Sequence, residues 1–305
     1  MDPLADKKAT KLEGYGRERL LWKLAAGDWI WGSRTTRFFS LPARLSHDET
    51  IRRIAELGFD GVELGWVSPE NYPPDRVKSV SGKIRDLGLE IANAYIDTCN
   101  RWPFGAFTNP REEVRREVIT YVKSCMDVAK DLGSKMVNLW PGTDGVPLKV
   151  PYWTAWNWLV EGIRESADYA SSIGIKVSLE YKLKEPSLFL LLSNSDALLR
   201  VISDIDHKDV GATIDTGHVF QAKEHLPTTV QKLGGRLYHV HLDDNYGDWD
   251  DDLAVGVVHN FLGFFKALKE TGYKGYLSLD LWPVGDPDEA AIQSKKYVEE
   301  VLTKV

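Results

Sequence analysis

The sequence has few of the features that mark a disulfide-rich, membrane or nucleic-acid-binding protein. Among 305 residues there are only two cysteines, Cys99 and Cys125, which argues against a disulfide framework and a paired-cysteine zinc site. No apolar run approaches the roughly 20 residues that span a membrane, and the charged N-terminal stretch MDPLADKKATKLEG does not read as a signal peptide. A net charge of −7 argues against a surface that neutralises phosphates. We therefore expect a cytoplasmic protein that binds neither membranes nor nucleic acids.

What the sequence does contain is a repeated unit of helix end, glycine and apolar strand. The phrases AELGFDGVEL, RDLGLEIANA, KDLGSKMVNL, SSIGIKVSLE and KETGYKGYLS share this unit. Eight apolar β-type runs alternate with helical patterns, which predicts a parallel sheet closed into a barrel. We predict a single (β/α)8 TIM barrel over residues 27–305, preceded by a helical lead-in over residues 1–26. An open doubly wound sheet is the alternative, but the glycine-rich nucleotide loop typical of its first strand is absent from the sequence.

Local patterns predict the first elements of this barrel. Residues 16–27, GRERLLWKLAAG, have helical spacing, and residues 29–31 follow as a candidate first strand. Ser46, with Glu49 three residues later, indicates the capped start of the next helix. The lead-in helix is expected to pack against the barrel.

Each of the last four predicted strands ends in a side chain that can bind a metal ion. These are Glu180 in KVSLEYK, Asp215 in GATIDTGH, His241 in LYHVHLDD and Asp280 in YLSLDLW. The carboxyl ends of barrel strands ring one mouth, so the four residues would converge on one volume. Each alone has an ordinary explanation as a helix cap or a core hydrogen-bonding group, but four successive strands would need four such explanations. Carboxylates with one imidazole indicate a divalent cation, Mn first, with Mg or Co as alternatives.

A second group of acidic and imidazole side chains follows the same strands. His218 lies three residues after Asp215, and Asp250 and Asp252 lie in the loop after the seventh strand. If the Asp215 carboxylate bridges two cations, the other three residues would hold the second one, so we expect one or two ions per chain. The alternative is that the segment DDNYGDWDDD is a solvated acidic loop.

Two further side chains allow two interpretations. Lys182 lies two residues after Glu180, on the same face of an extended segment. It would bind and polarise a substrate oxygen there, unless it is a solvated loop lysine. His239 shares a strand face with His241 and would support that residue or belong to the core.

These segments resemble those of sugar isomerases. The stretch LEYKLKEP, residues 179–186, resembles the Glu-x-Lys-x-x-Glu-Pro segment of xylose isomerases and the Glu-Tyr-Lys-x-x-Glu-Pro segment of L-rhamnose isomerases. Residues 232–256 are similar to the L-rhamnose isomerase segment in which a ligand His precedes Tyr-Gly-Asp and Asp-Asp-Asp-Leu. IDTGH, residues 214–218, also occurs in the xylose-isomerase-like superfamily, including ketose 3-epimerases. The resemblance covers most of the chain from the second strand onward.

The resemblance implies a role for each residue of the site. A structural ion would be held by Glu180, Asp215, His241 and Asp280, and a catalytic ion by Asp215, His218, Asp250 and Asp252. The substrate pocket would be formed by Trp31, Trp66, Trp140, Lys182, Glu185 and His218, the match of the first two being positional only. The catalytic residues would be Lys182, Asp250 and Glu180.

The activity implied is aldose–ketose isomerisation of an unphosphorylated monosaccharide by a metal-assisted hydride shift, in a homodimer or homotetramer. One part of the family pattern is missing, because the sequence has no histidine between His47 and His207. These isomerases carry a histidine near the end of an early strand that helps ring opening or substrate binding. Its role would pass to Asp97, Tyr95 or a water molecule.

Other activities occur on the same kind of barrel. Ketose 3-epimerases use one metal and two opposed glutamates from strands five and eight. Asp280 is one methylene shorter than such a glutamate, which favours hydride transfer. A repair endonuclease would need three metals, more early histidines and a basic groove. A carbohydrate lyase or deglycosidase subunit that works with a small partner is a further alternative.

Overall fold

Eight short, mostly apolar runs form the strands of a closed barrel. The computed structural model describes residues 20–35 and 40–305. The strands are β1 (Leu24–Gly27), β2 (Gly61–Leu64), β3 (Glu90–Asp97), β4 (Met136–Trp140), β5 (Lys176–Glu180), β6 (Val210–Asp215), β7 (Leu237–Leu242) and β8 (Leu277–Leu279). All neighbouring strands are parallel, and β1 pairs with both β2 and β8, which closes the sheet. The predicted (β/α)8 barrel is confirmed.

Helices connect the strands and cover the outer face of the barrel. They are α1 (His47–Glu56), α2 (Pro74–Asp86), α3 (Glu112–Leu132), α4 (Tyr152–Ser172), α5 (Ser195–Ile205), α6 (Thr216–Gln221), α7 (Leu226–Leu233), α8 (Leu262–Glu270) and α9 (Pro287–Leu302). Ser46 and Glu49 form the predicted capping box at the start of α1. Across residues 20–35 and 40–305, no helix is both long and apolar enough to cross a membrane.

The first strand lies earlier than the sequence predicts. Leu24–Gly27, at the end of the expected lead-in helix, is β1, and Asp28–Trp31, where the strand was expected, is a 3-10 helix. Ala25 and Ala26 are fully buried between neighbouring strands. Pairing on both edges outweighs the helical preference of this short apolar stretch, because propensity is a weak force beside tertiary contacts. The barrel thus begins before residue 27. The part of the predicted lead-in that covers residues 1–19 lies outside the described residues.

The inside of the barrel is polar near its mouth. On β7, His239 and His241 both reach Glu63 of β2 across the barrel. On β5 and β6, Ser178 and Thr213 donate hydrogen bonds to the amide of Asn138 on β4. Alternate residues of a strand face opposite sides, so the apolar residues between these positions pack outward against the helices.

Loops at the carboxyl ends of the strands are held together by main-chain contacts. Gly145–Val146, Lys184–Glu185 and Leu188–Leu190 form a three-stranded antiparallel sheet that joins the loops after β4 and β5. The buried Asp144 carboxylate accepts the backbone N–H groups of residues 106–108 in the loop after β3. The loops that border the mouth are therefore fixed to one another.

Candidate active site

One cavity lies at the mouth of the barrel, and each of the eight strands, or the segment that follows it, contributes to its wall. It has a volume of about 170 Å³. Its aromatic wall consists of Trp29, Trp66, Tyr95, Trp140 and Trp282. Its ionisable wall consists of Glu180, Lys182, Asp215, His218, His241, Asp250, Asp252 and Asp280. The predicted convergence of the strand-end residues is therefore present, because strand order places their carboxyl ends around one opening.

The four strand-end residues form a compact group around one imidazole. One donor atom of each of Glu180, Asp215, His241 and Asp280 lies within 4.8 Å of those of the other three. From His241 Nδ1, the distances are 3.3 Å to Glu180 Oε1, 3.3 Å to Asp280 Oδ2 and 3.9 Å to Asp215 Oδ2. Three carboxylates and one imidazole at this spacing can hold one divalent cation.

Glu63 orients this imidazole, and the sequence interpretation did not assign it to the site. Its Oε1 lies 2.9 Å from His241 Nε2, and its Oε2 lies 2.8 Å from His239 Nε2. The signal in the sequence was a single carboxylate inside the apolar strand GVEL. His239 accordingly takes the supporting position rather than a place in the cavity wall. A carboxylate that accepts the far N–H of a ligand histidine fixes its tautomer.

Hydrogen bonds from neutral side chains position two of the carboxylates. Asn138 Nδ2 donates to Glu180 Oε2 at 2.6 Å. Trp29 Nε1 donates to Asp280 Oδ1 at 2.7 Å. Each carboxylate keeps its second oxygen directed at His241, so the group is held in place by surrounding residues.

His218 and the acidic loop after β7 form a second group beside the first. Donor atoms of Asp215, His218 and Asp250 lie within 4.8 Å of one another, and so do those of Asp243, Asp250 and Asp252. His218 Nε2 is 3.3 Å from Asp250 Oδ2, and its Nδ1 is 3.3 Å from Glu180 Oε1. This loop is not simply solvated, because its carboxylates turn into the cavity wall.

Asp215 has a structural role in addition to its place in the cavity. Its Oδ1 accepts the backbone N–H of His218 at 2.8 Å and so caps the short helix α6. The cap fixes the turn that carries His218 into the cavity. The spacing of three residues in IDTGH follows from this capping geometry.

Lys182 is a buried cation held by two carboxylates. Its Nζ lies 2.6 Å from Glu185 Oε1 and 2.7 Å from Asp250 Oδ2, and 5.2 Å from the centre of the Trp140 ring. Burial alone would lower the pKa of Lys182, but the charges of Asp250 and Glu185 outweigh it and raise that pKa well above its usual value. Lys182 is thus protonated in the cavity. Glu185 supports Lys182 and does not itself line the cavity.

The cavity brings several carboxyl groups together in buried surroundings, so it is unfavourable for all of them to be ionised at once. Burial, with the charges of Asp215 and Glu180, outweighs the attraction of His241 and raises the pKa of Asp280 to about 7. Burial and the neighbouring Asp250 raise the pKa of Asp252 well above its usual value. Burial also opposes ionisation of Glu180, but the two imidazoles outweigh it and lower its pKa. Such a site favours the binding of cations.

The aromatic wall differs from the predicted one at one position. Trp66 and Trp140 line the cavity, but Trp31 does not. Trp31 is fully buried, and its Nε1 donates to Asp288 at the start of α9. Trp29 lines the cavity instead. In a 3-10 helix, residues two apart do not share a face, so the spacing expected from a strand no longer applies.

Trp66 is held by ring contacts on three sides. It makes edge-to-face contacts with Trp29, Tyr95 and Trp282 at centroid distances of 6.0–6.1 Å. Its backbone has φ of 48°, a left-handed conformation that is costly for a bulky residue and that clusters at functional sites. The surrounding rings therefore hold the Trp66 side chain in the cavity wall although its backbone conformation is unfavourable.

Only one of the two protein groups proposed to replace the missing early-strand histidine lies in the cavity. Tyr95 lines the wall. The Asp97 carboxylate instead accepts the Cys99 N–H at 2.7 Å and the Asn100 side-chain amide at 2.6 Å, which shapes the loop after β3. The early His47 contacts Asp28 and Tyr72 and does not line the cavity.

Comparison with known proteins shows the family of this barrel. A family described as the xylose isomerase-like TIM barrel matches residues 51–301. The xylose isomerase of Thermus thermophilus is 26% identical over 269 residues, which are 82% of this chain and 69% of that protein. The fructoselysine 3-epimerase of Escherichia coli O157:H7 is 24% identical over 243 residues, 78% of this chain and 86% of that protein. The crystal structure of a D-tagatose 3-epimerase-like protein superposes with a TM-score of 0.75 at 25% identity, covering 92% of this chain and 99% of that one.

Proposed function

The chain belongs to the xylose isomerase-like TIM-barrel family, and we propose that it is a divalent-metal-dependent isomerase that interconverts an unphosphorylated aldose and its ketose. The observation that carries this proposal is Lys182, a protonated ammonium group in the wall of a cavity whose other ionisable side chains, apart from Tyr95, are carboxylates and imidazoles. An ammonium group so placed donates a hydrogen bond to a carbonyl oxygen as that oxygen gains negative charge. The surrounding carboxylates disfavour a phosphorylated sugar.

The donor groups of the cavity fit divalent cations. Glu180, Asp215, His241 and Asp280 would hold one ion, and Asp215, His218, Asp250 and Asp252 would hold a second. One buried atom supports the fit, because Asp250 Oδ1 has no hydrogen-bond partner among the described residues. Oxygen and imidazole donors suit Mn first, with Mg and Co as alternatives. When bound, such cations stabilise negative charge on substrate oxygens.

The protein groups have separate tasks in the proposed reaction. Lys182 polarises the carbonyl oxygen, and Asp250 keeps that ammonium protonated and oriented through the 2.7 Å ion pair. The rings of Trp66 and Trp140 cover the apolar face of the sugar and exclude water while hydrogen moves between C1 and C2. Asp280 is held by Trp29 and His241, which leaves it less free to act as a base.

Ketose 3-epimerisation is the second candidate, and one observation favours it. Glu180 and Asp280 come from opposite flanks of the metal-binding strands and both reach His241 Nδ1 at 3.3 Å. A carboxyl with a pKa of about 7, as at Asp280, suits a group that gives and takes a proton. In that reaction Glu180 and Asp280 would be the acid and base.

Isotope transfer separates the two candidates. Pentoses and hexoses, as aldoses and as ketoses, are incubated with the Mn-loaded protein in D2O, and products are read by NMR and mass spectrometry. The isomerase proposal expects an unlabelled sugar to gain little deuterium from D2O. In H2O, it expects an aldose deuterated at C2 to give a ketose that keeps the label at C1. Solvent deuterium at C3 would favour the epimerase. Turnover of no sugar by the wild type, or full activity in Asp215→Asn, would refute both, with Asp248→Asn as the exposed control.

A further inference from the structure

Asp243 carries a buried carboxyl group that none of the roles above uses. Asp243 follows β7 by one residue, is fully buried and belongs to the group with Asp250 and Asp252. The sequence motifs assigned the ligand roles on this segment to His241 and to the acidic loop. The environment of its two oxygens indicates a further role.

The two carboxylate oxygens of Asp243 have different surroundings. Oδ1 accepts the Gly217 N–H at 2.7 Å and the Thr216 hydroxyl at 2.9 Å. Oδ2 receives no hydrogen bond from any described residue, although the side chain is buried. A buried polar oxygen without a hydrogen-bond partner is costly, so a partner for Oδ2 is expected.

Glycine at position 217 makes this placement of the carboxylate possible. A Cβ atom on Gly217 would lie 2.0 Å from Asp243 Oδ2 and 2.7 Å from Asn245 Nδ2, distances that no real contact permits. Any residue other than glycine at position 217 would displace the Asp243 side chain. The turn that carries His218 therefore also leaves room for the Asp243 carboxylate next to the acidic loop.

A second donorless oxygen belongs to the same group. Asp250 Oδ2 contacts Lys182 and His218, whereas Asp250 Oδ1 is buried without a partner in the described part of the chain. Asp252 has φ of 45°, a left-handed conformation that is unfavourable for a residue with a Cβ. Donor atoms of Asp243, Asp250 and Asp252 lie within 4.8 Å of one another. Two of the three residues in this group therefore have a buried oxygen without a hydrogen-bond partner.

We propose that Asp243 is an additional ligand of the second cation, beside Asp250 and Asp252. Three carboxylates select a hard divalent cation of the manganese or magnesium type. This inference rests on the proposed metal dependence and adds a ligand to it. It also explains why the acidic segment folds inward, because a bound cation would offset the negative charges of carboxylates that would otherwise repel one another.

The test is the number of Mn²⁺ ions bound by the full-length, chelator-treated protein, measured by electron paramagnetic resonance of free Mn²⁺. We expect the wild type to bind two ions. Asp243→Asn keeps the shape of the side chain and an oxygen that accepts from Gly217 and Thr216. It should lower the affinity for the second ion by at least about tenfold and leave the affinity for the first unchanged. Asp248→Asn, which removes an exposed carboxylate of the same loop, should bind both ions like the wild type.

Thermal unfolding in chelator checks that Asp243→Asn folds. We expect its metal-free melting temperature to equal or exceed that of the wild type, because the change removes a carboxyl group from a buried acidic cluster. If Asp243→Asn binds both ions with wild-type affinity, or if the wild type binds a single ion, Asp243 only caps the turn and the inference is overturned. If the ions bind as expected but no sugar reacts, the inference stands and the proposed isomerase activity fails.

Discussion

Glu63 Oε1 lies 2.9 Å from His241 Nε2 inside the barrel, and this contact determines which nitrogen faces the cavity. Because Nε2 donates to Glu63, Nδ1 is left to face Glu180 and Asp280. Burial alone would raise the pKa of Glu63, but His241 and His239 outweigh it and lower that pKa below its usual range. Glu63 therefore remains ionised and keeps His241 oriented.

Replacing Glu63 by Gln should weaken the binding of the first cation, the one proposed to be held by the group around His241. The amide is neutral and can present an N–H to His241, so it no longer enforces one tautomer. We expect Mn²⁺ affinity to fall about 10- to 100-fold, as is common when the partner of a ligand histidine is lost. Isothermal titration calorimetry measures this, with Glu90→Gln, a change in an exposed ion pair with Lys23, as control. Equal affinity in Glu63→Gln and wild type would contradict the positioning role.

Replacing Lys182 by Met should lower kcat much more than it changes KM. The ammonium group is proposed to act on charge that develops during the reaction, and loss of one such donor costs about 100-fold or more. Steady-state kinetics on the active sugar give the values, and Mn²⁺ titration verifies that the ions still bind. Lys184→Met is the matched control, because that ammonium lies over Trp249 and does not line the cavity. A Lys182→Met variant with wild-type kcat would exclude the proposed role.

The metal-free protein should lose stability as pH rises from about 5 to 8. Burial and neighbouring carboxylates raise the pKa of Asp280 from 3.8 to about 7, so the folded state retains a proton that the unfolded chain has already released. Its stabilising contribution is complete below pH 3.8 and is lost as pH rises through about 7. The pKa values of His218 and His241, which neighbouring carboxylates raise despite burial, act in the same direction.

Melting temperatures from circular dichroism in chelator test this pH dependence. We expect the Asp280→Asn variant to show a smaller decline between pH 5 and pH 8 than the wild type, and Mn²⁺ to restore stability at the higher pH. Asp248→Asn, an exposed change, should follow the wild type. A decline as steep in Asp280→Asn as in the wild type would show that another group controls the transition.

Replacing Trp66 by Asn should raise KM for the sugar with a smaller effect on kcat. Asn tolerates the left-handed backbone that Trp66 adopts, so the main loss is the ring. We expect an increase of about fivefold, since one aromatic contact contributes about 1 kcal/mol. Trp31→Phe is the control: it removes the hydrogen bond to Asp288 and should lower the melting temperature without changing KM. A KM effect at Trp31 instead of Trp66 would contradict the observed cavity wall.

Patterns repeated along the chain made the barrel and its last four strands predictable. Strand-end residues such as Asp215 and His241 were recognisable because parallel strands of a barrel bring their carboxyl ends to one mouth. The first strand was not recognisable, because Leu24–Gly27 continues a helical pattern and only its two strand neighbours decide its conformation. Trp31 was misassigned for the same reason.

The sequence by itself determined the periodicity of this protein, and with it the fold and the identity of the cavity carboxylates. The tertiary structure decided which buried groups support them. Glu63 is 178 residues from His241 along the chain, and no local spacing predicts their contact. Likewise, Asp243 can serve the acidic loop only because position 217 lacks a Cβ. Contacts across the barrel depend on strand register and close packing, and these exist only once all eight strands have closed.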